Sequence, residues 1–476
     1  MTNEYKNKYN RKSTWDKHYC YINIWTVVVD CIKKVQSIHN IQTIYISIGQ
    51  FILKRRNLMI QVCDAIMGTG KSSAAITYMN EHLEDRFIYV TPYLEEAERI
   101  KECCPDKQFV EPSDKLKKYN FKKMDHTAAL IKEGRNITTT HQAFKSYSSE
   151  MLEDIKRHGY RLIIDENVDV LEKYDCSMGD IQLLMDAGYM TEINGFYKLI
   201  RNDYNGVCFR NFFDFLKSKE LICLSDSCGT HFFYWLLSAE LMTSFKDVII
   251  LTYLFEGQSL HHFLEMYNLE YEYIGIQKTD DGTFRFCEYP GYTPEYTYHI
   301  KDMIHILDKE KLNSVGDDMT ALSMGWYDKN EEKVEQLKKN MFNCVYQIWG
   351  NPDVNERLWG CYKSYEHKIS GKGYKKAFLT FNTKATNAYR NRKYLMYIVN
   401  VYMNVTDKLF YQSRGIKVNE DLYALSIMVQ WIWRSAIRDG DDIYLYIPSK
   451  RMRILLINWM NSLSDKGGDK GAKELQ

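Results

Sequence analysis

No stretch of this 476-residue chain stays apolar for the roughly 20 residues that a bilayer crossing needs. The longest apolar runs, Tyr21 to Val29 and Asp247 to Phe255, reach about half that length, which excludes a transmembrane helix. Lysines precede the first run, but Asp30, Cys31, Ile32, Lys33 and Lys34 follow it where a secretory leader would carry small residues, so no signal peptide is read. Net charge is also missing. With 63 Lys+Arg against 62 Asp+Glu the formal charge is +1, which excludes a polycation or an acidic disordered chain and confines any nucleic-acid surface to a local patch. The twelve cysteines include no C-x-x-C pair and no metal-type spacing to histidine. They point to free thiols in a reducing compartment, so a cytoplasmic location is expected, and Cys103-Cys104 and Cys223/Cys228 read as core or incidental thiols. Internal repeats are absent as well.

What the chain does have is 45% apolar residues, enough to core the roughly three folding units its length allows. Residues 1–58 are polar and basic, then mixed, and carry no readable motif; Met59 precedes the first patterned strand, so translation starting there is an expectation. From residue 59 the pattern is α/β. Met59 to Cys63, Phe87 to Val90, Arg161 to Ile164 and Val248 to Leu251 read as buried parallel strands, with helical stretches such as Ser72 to Leu83 and Glu95 to Cys103 between them. This favours a doubly wound sheet over 59–259. Residues 260–312 hold Pro290, Gly291 and Pro294 and read as a linker or insertion, 313–460 as a second α/β unit, and 461–476 as a disordered tail.

Ala65 to Ser72, between a strand and a helix, has the phosphate-loop spacing G-x-x-x-x-G-K-S with Ala65 in place of the first glycine. Gly68 and Gly70 let the backbone turn its N–H groups around phosphates, with Thr69 and Ser73 alongside; Lys71 reaches the outer phosphates and Ser72 ligates Mg²⁺. Arg161 to Glu166 is a strand ending in two carboxylates. Asp165 is expected to hold the metal with Ser72, and Glu166 to polarise the attacking water. Near the C-terminus, Gln430, Arg434 and Arg438 recur at i, i+4 and i+8 and are read as one polar stripe on an otherwise apolar helix. Two arginines in such a stripe call for an anion, and the phosphate of the first unit is the expected partner; pairing with Asp439, Asp441 or Asp442 is the alternative.

On Ala65 to Ser72 (motif I), Asp165-Glu166-Asn167-Val168 (motif II) and Gln430 to Arg438 (motif VI), the chain resembles the superfamily 2 helicases of phages and mobile elements. Thr91-Pro92, Thr138 to Gln142, Leu251 to Leu254 and Ala385 to Tyr389 resemble the intervening motifs, in order. Motif II departs from the DEAD and DEAH endings, and Arg438 falls eight residues after Gln430 where the family spacing is seven, so Arg434 is the better match to the family's finger. The resemblance implies two RecA-like domains closing on ATP and Mg²⁺, with catalytic roles for Lys71, Asp165, Glu166, Gln430, Arg434 and Arg438. It also implies single-stranded or forked DNA, or RNA, as partner, and replication proteins as possible company. Strand contacts are then expected from Thr91, Thr139, His141, Asn387, Tyr389 and Arg390, with Lys384 and Arg392 nearby. Lys450 to Arg453 reads as a solvated cap. Two rival readings are a packaging ATPase of the terminase kind, which would need a C-terminal nuclease, and a nucleotide-gated loading module with little turnover.

Overall fold

The strands of the first parallel sheet alternate between two buried clusters. Ile60, Val62, Ile88, Val90, Leu162, Ile164, Val248 and Ile250 face one core. Cys63, Phe87, Tyr89, Ile163, Ile249 and Leu251 face another on the opposite side. A sheet apolar on both faces must be covered on both, which explains why these strands read as unbroken hydrophobic runs. The molecule is a computed structural model that describes residues 58–463 except 194, 202, 217–218, 226–230, 292–296, 298 and 384–387. The N-terminal extension expected over 1–58 lies, apart from Leu58, outside the described residues, as do 464–476 of the expected tail.

In chain order the strands are β1 (Met59–Asp64), β2 (Phe87–Val90), β3 (Ile137–Thr139), β4 (Arg161–Asp165), β5 (Leu171–Tyr174), β6 (Met190–Ile193), β7 (Phe196–Leu199) and β8 (Glu220–Ser225). Then follow β9 (His231–Leu236), β10 (Asp247–Thr252), β11 (Tyr271–Lys278), β12 (Phe284–Glu288), β13 (Ile304–Ile306), β14 (Arg357–Gly360), β15 (Tyr394–Tyr397) and β16 (Ile443–Tyr446). The helices that matter for the site are α1 (Lys71–Glu81), α2 (Leu94–Cys103), α3 (Ser259–Met266), α4 (Val405–Ser413), α5 (Glu420–Ile432) and α6 (Lys450–Ser462).

The first sheet has the order β12-β11-β1-β10-β4-β2-β3 and the second β13-β16-β15-β14. All pairs are parallel except β11 with β12, so both units are parallel-sheet, Rossmann-like α/β domains. β10 lies between β1 and β4 with Asp64 opposite Thr252 and Leu251 opposite Asp165, so three strand ends finish level with one another. Ala65 N–H donates to Thr252 O at 3.0 Å and Glu166 N–H to Leu251 O at 2.9 Å, fastening the loops after β1 and β4 to the end of β10.

The stretch read as a linker or insertion holds β11 and β12. They form a hairpin that extends the first sheet, closed by a tight turn in which Asp281 accepts from Thr283 N–H at 3.0 Å and Gly282 has φ 83°. A five-stranded antiparallel sheet, β5-β9-β8-β7-β6, was not anticipated. It is inserted between β4 and β10 and has its own core around Ile181, Phe212, Phe213 and Phe233.

The seam between the two parallel sheets is apolar. Ile66, Tyr253 and Leu254, from loops of the first sheet, belong to the core of the second. Tyr253 Oη accepts from Trp459 Nε1 of α6 at 2.8 Å. At Gly257, just after β10, an added Cβ would lie 2.7 Å from the backbone carbon of Leu422 in α5, so only glycine fits this approach. Helix α4 follows β15 in the chain, yet it buries Phe410 and Tyr411 in the first sheet's core. Arg451, expected in a solvated cap, is instead buried and donates to Asp421 Oδ1 at 2.9 Å and Asn400 Oδ1 at 3.0 Å, tying α6 to α5.

Candidate nucleotide site between the two sheets

The loop after β1 is shaped by left-handed glycines. Gly68 has φ 85° and Gly70 φ 93°, and a Cβ on Gly70 would sit 2.4 Å from the ring of Phe284 on β12. The hairpin therefore buttresses the loop, and Gly70 opens α1 so that the helix's first N–H groups face the cavity. Lys71 Nζ donates to Ala65 O and, at 3.0 Å, to Ile66 O, which folds its side chain back across the loop. Burial pushes its pKa down, opposed by the charges of Cys63, Asp165, Asp64 and Glu166. Thr69 turns its hydroxyl to Ile66 O at 2.8 Å and so shapes the loop from within. Ser73 accepts from Arg99 at 2.9 Å.

At the end of β4, Asp165 is buried and its carboxyl is pushed up to about 8, first by desolvation and then by Glu96 and Glu166, against the pull of Lys71. Glu166 is a non-glycine residue at φ 64°, a strained conformation that throws its side chain out of the strand line. Tyr93 holds that side chain, donating to Glu166 Oε2 at 2.9 Å. Tyr93 was not among the sequence candidates, although it directly follows Thr91-Pro92. Asp64, also missed, accepts from Leu254 N–H at 2.7 Å and Phe255 N–H at 3.1 Å, which fixes the turn after β10.

The opposite wall requires a correction. α5 ends at Ile432, so Gln430, Arg434 and Arg438 do not form a helical stripe. Ser435 Oγ donates to the Ile432 carbonyl at 2.6 Å, and Ala436 N–H donates to Arg392 O at 2.9 Å, so the chain leaves the helix there. The three residues nonetheless meet. Lys71, Ser72, Asp165 and Glu166 share with Gln430 and Arg434 the lining of one cavity of about 450 Å³, which Arg438 also lines. Arg434 is 5% exposed, its Nε has no hydrogen-bond partner, and burial lowers its pKa against the opposing charges of Glu166 and Tyr93. The acidic alternative partners point elsewhere. Asp439 accepts from Arg390 at 2.9 Å, Asp441 pairs with Lys393 at 3.1 Å and Asp442 with His305 at 3.0 Å, so they do not form the clustered ligand set a nuclease would need.

The residues expected to touch nucleic acid lie mostly elsewhere. Thr91, Thr139 and His141 are 1%, 2% and 6% exposed. His141 Nε2 hydrogen-bonds the Asp165 carbonyl at 2.8 Å, and Thr91 Oγ1 accepts from Tyr93 N–H at 3.3 Å, so both support the strand ends from inside. Arg390 is exposed, donates to Asp439 and borders the cavity. Tyr389 is half-buried beneath Arg392, whose guanidinium carbon is 5.7 Å from its ring centre. Asn387 and Lys384 lie outside the described residues.

Among curated proteins, the SPbeta prophage-derived uncharacterized protein YonV of Bacillus subtilis (strain 168) is 35% identical over 414 residues, covering 85% of this chain and 99% of that protein. The chain belongs to the YonV family. The model of the YonV C-terminal Rossmann-like domain matches residues 298–460, which contain the whole of the second sheet of this YonV-family chain. Solved structures superpose more loosely. XPD_APO matches 86% of the chain and 98% of its own at 10% identity and a TM-score of 0.44. S. tokodaii Xpd4 matches 86% and 96% at 11% and 0.45. The DUF1998 helicase MrfA bound to DNA and AMPPNP matches 89% and 51% at 9% and 0.30. No described helix is long and apolar enough to cross a membrane.

Proposed function

We propose that this chain is an ATP-dependent helicase or translocase that hydrolyses nucleotide in the cleft between its two parallel sheets. One observation carries the reading. A phosphate loop, two strand-end carboxylates and a buried arginine from the other sheet line a single cavity of nucleoside-triphosphate size.

The chemistry asks for placement and charge compensation more than for covalent work. The loop N–H groups and the start of α1 accept the phosphates, and Lys71 exchanges its loop carbonyls for phosphate oxygens. Mg²⁺ fits the residues present, because Asp165 is a buried carboxyl whose ionisation burial opposes and a bound cation would favour, and Ser72 lines the same cavity. These two side chains would hold it, and it would supply charge neutralisation on the phosphates. Glu166, aimed by Tyr93, orients and deprotonates the attacking water. Arg434 enters from the second sheet to meet the charge that develops on the transferred group. A reaction sensed by both walls is also felt at the seam, where Tyr253 and Trp459 join them.

Nucleic acid as the substrate is supported by the helicase-like order of motifs. Prophage replication is supported by the source of the YonV relative. The test is ATP turnover by the full chain with and without single-stranded DNA or RNA. Lys71→Ala is expected to lower turnover below detection with an unchanged melting temperature. Turnover that persists in this variant refutes the site, and turnover indifferent to either strand removes the translocase reading while leaving the ATPase.

A further inference from the structure

The first turns of α3 bring two histidines and a glutamate to one point that the nucleotide chemistry does not use. His261 Nδ1 lies 3.4 Å from His262 Nδ1. Glu265 Oε2 lies 3.5 Å from the first and 3.4 Å from the second. Zinc-type bonds of about 2.0–2.1 Å in tetrahedral array separate neighbouring donor atoms by about 3.3 Å. The three atoms therefore outline one face of a tetrahedron of the right size.

Hydrogen bonding alone serves this triangle poorly. A ring with a proton on Nδ1 can direct it at only one of two neighbours, while a ring without it sets a lone pair against the carboxylate. One central cation would satisfy all three atoms. His262 is 1% exposed and its Nε2 has no hydrogen-bond partner, so its ring is fixed by packing, including Tyr411 of α4 at 5.1 Å between ring centres. His261 is partly exposed and Glu265 exposed, which leaves a path for an ion and an outward fourth position for water.

We propose that His261, His262 and Glu265 form a binding site for a divalent transition-metal ion of the zinc class. The ion would brace the helix that directly follows the turn after β10, and it is independent of Mg²⁺ at the nucleotide cleft, where the available donors are oxygen atoms.

The probe is Co²⁺, whose visible spectrum reports tetrahedral nitrogen and oxygen ligation. It is titrated into untagged, chelator-stripped, nucleotide-free full-length protein with excess Mg²⁺ present. The expected result is about one equivalent bound with intense visible bands, displaced by Zn²⁺. Both signals are lost in His261→Gln and in Glu265→Gln. Glu265→Gln alters an exposed side chain, so it decides the question if His261→Gln disturbs folding. Absence of the bands in the wild type, or bands that survive in Glu265→Gln, overturns the site.

Discussion

Two cavities open along the seam between the sheets, and Glu166, Gln430 and Arg434 form a wall common to both. The front chamber, about 450 Å³, adds Lys71, Arg99, Arg390 and Arg438 to its acidic groups. The rear chamber, about 240 Å³, adds Asp169 and Asp407 and, among the described residues, no further cation. The difference is one of sign: cations face the carboxylates in front, whereas behind the carboxylates outnumber the one shared arginine. Arg434 borders the rear chamber as well as the front one. The lesson is that a site can be polarised by which charges back it, even in a chain whose overall charge is near zero.

The comparison breaks most completely if the wall is removed. Arg434→Ala should lower kcat about 1,000-fold with a much smaller change in KM, as read from steady-state ATPase kinetics, because its charge is required when the phosphoryl group moves. Arg434→Lys should not restore the rate, since an ammonium lacks the planar fork. Tyr93→Phe sharpens the comparison from the front. Loss of the hydrogen bond to Glu166 should slow turnover about tenfold, with nucleotide affinity retained. Asp407→Asn addresses the rear chamber alone. Burial, with Asp169 second, raises the Asp407 carboxyl from 3.8 to about 6. Because the folded value is the higher one, this group favours the fold fully only below about pH 4, and that contribution is lost as pH rises through 6. The amide should therefore stabilise the protein at pH 7 by roughly 1 kcal/mol, a figure reduced for partial solvent screening, and by nothing below pH 4; melting curves across that range check it.

Much of the first sheet could be read directly because its strands are buried on both faces, leaving an unbroken apolar signature. The second wall was legible in composition but not in geometry. Gln430, Arg434 and Arg438 reach the cavity, but through a chain exit set by Ser435 and the distant Arg392 carbonyl, neither of which leaves a periodic mark. The hairpin of β11 and β12 was hidden by Pro290 and Gly291 beside it, although Asp281-Gly282 is a turn signal that could have revealed it. For Thr91, Thr139 and His141 the motif positions were sound guides to place and poor guides to direction. A side chain at a strand end can point outward or tuck beneath its neighbour, and only the packed structure decides.

The backbone-to-backbone meeting of Gly257 with the start of α5 has a mechanical meaning. Most joints between protein layers run through side chains, whose rotamers absorb small displacements before anything further along responds. Here no such cushion exists, and a shift of a few tenths of an ångström at the end of β10 must move α5 by about as much. The joint works like a gear without backlash, and a single methyl group at residue 257 would be a shim that holds the teeth apart.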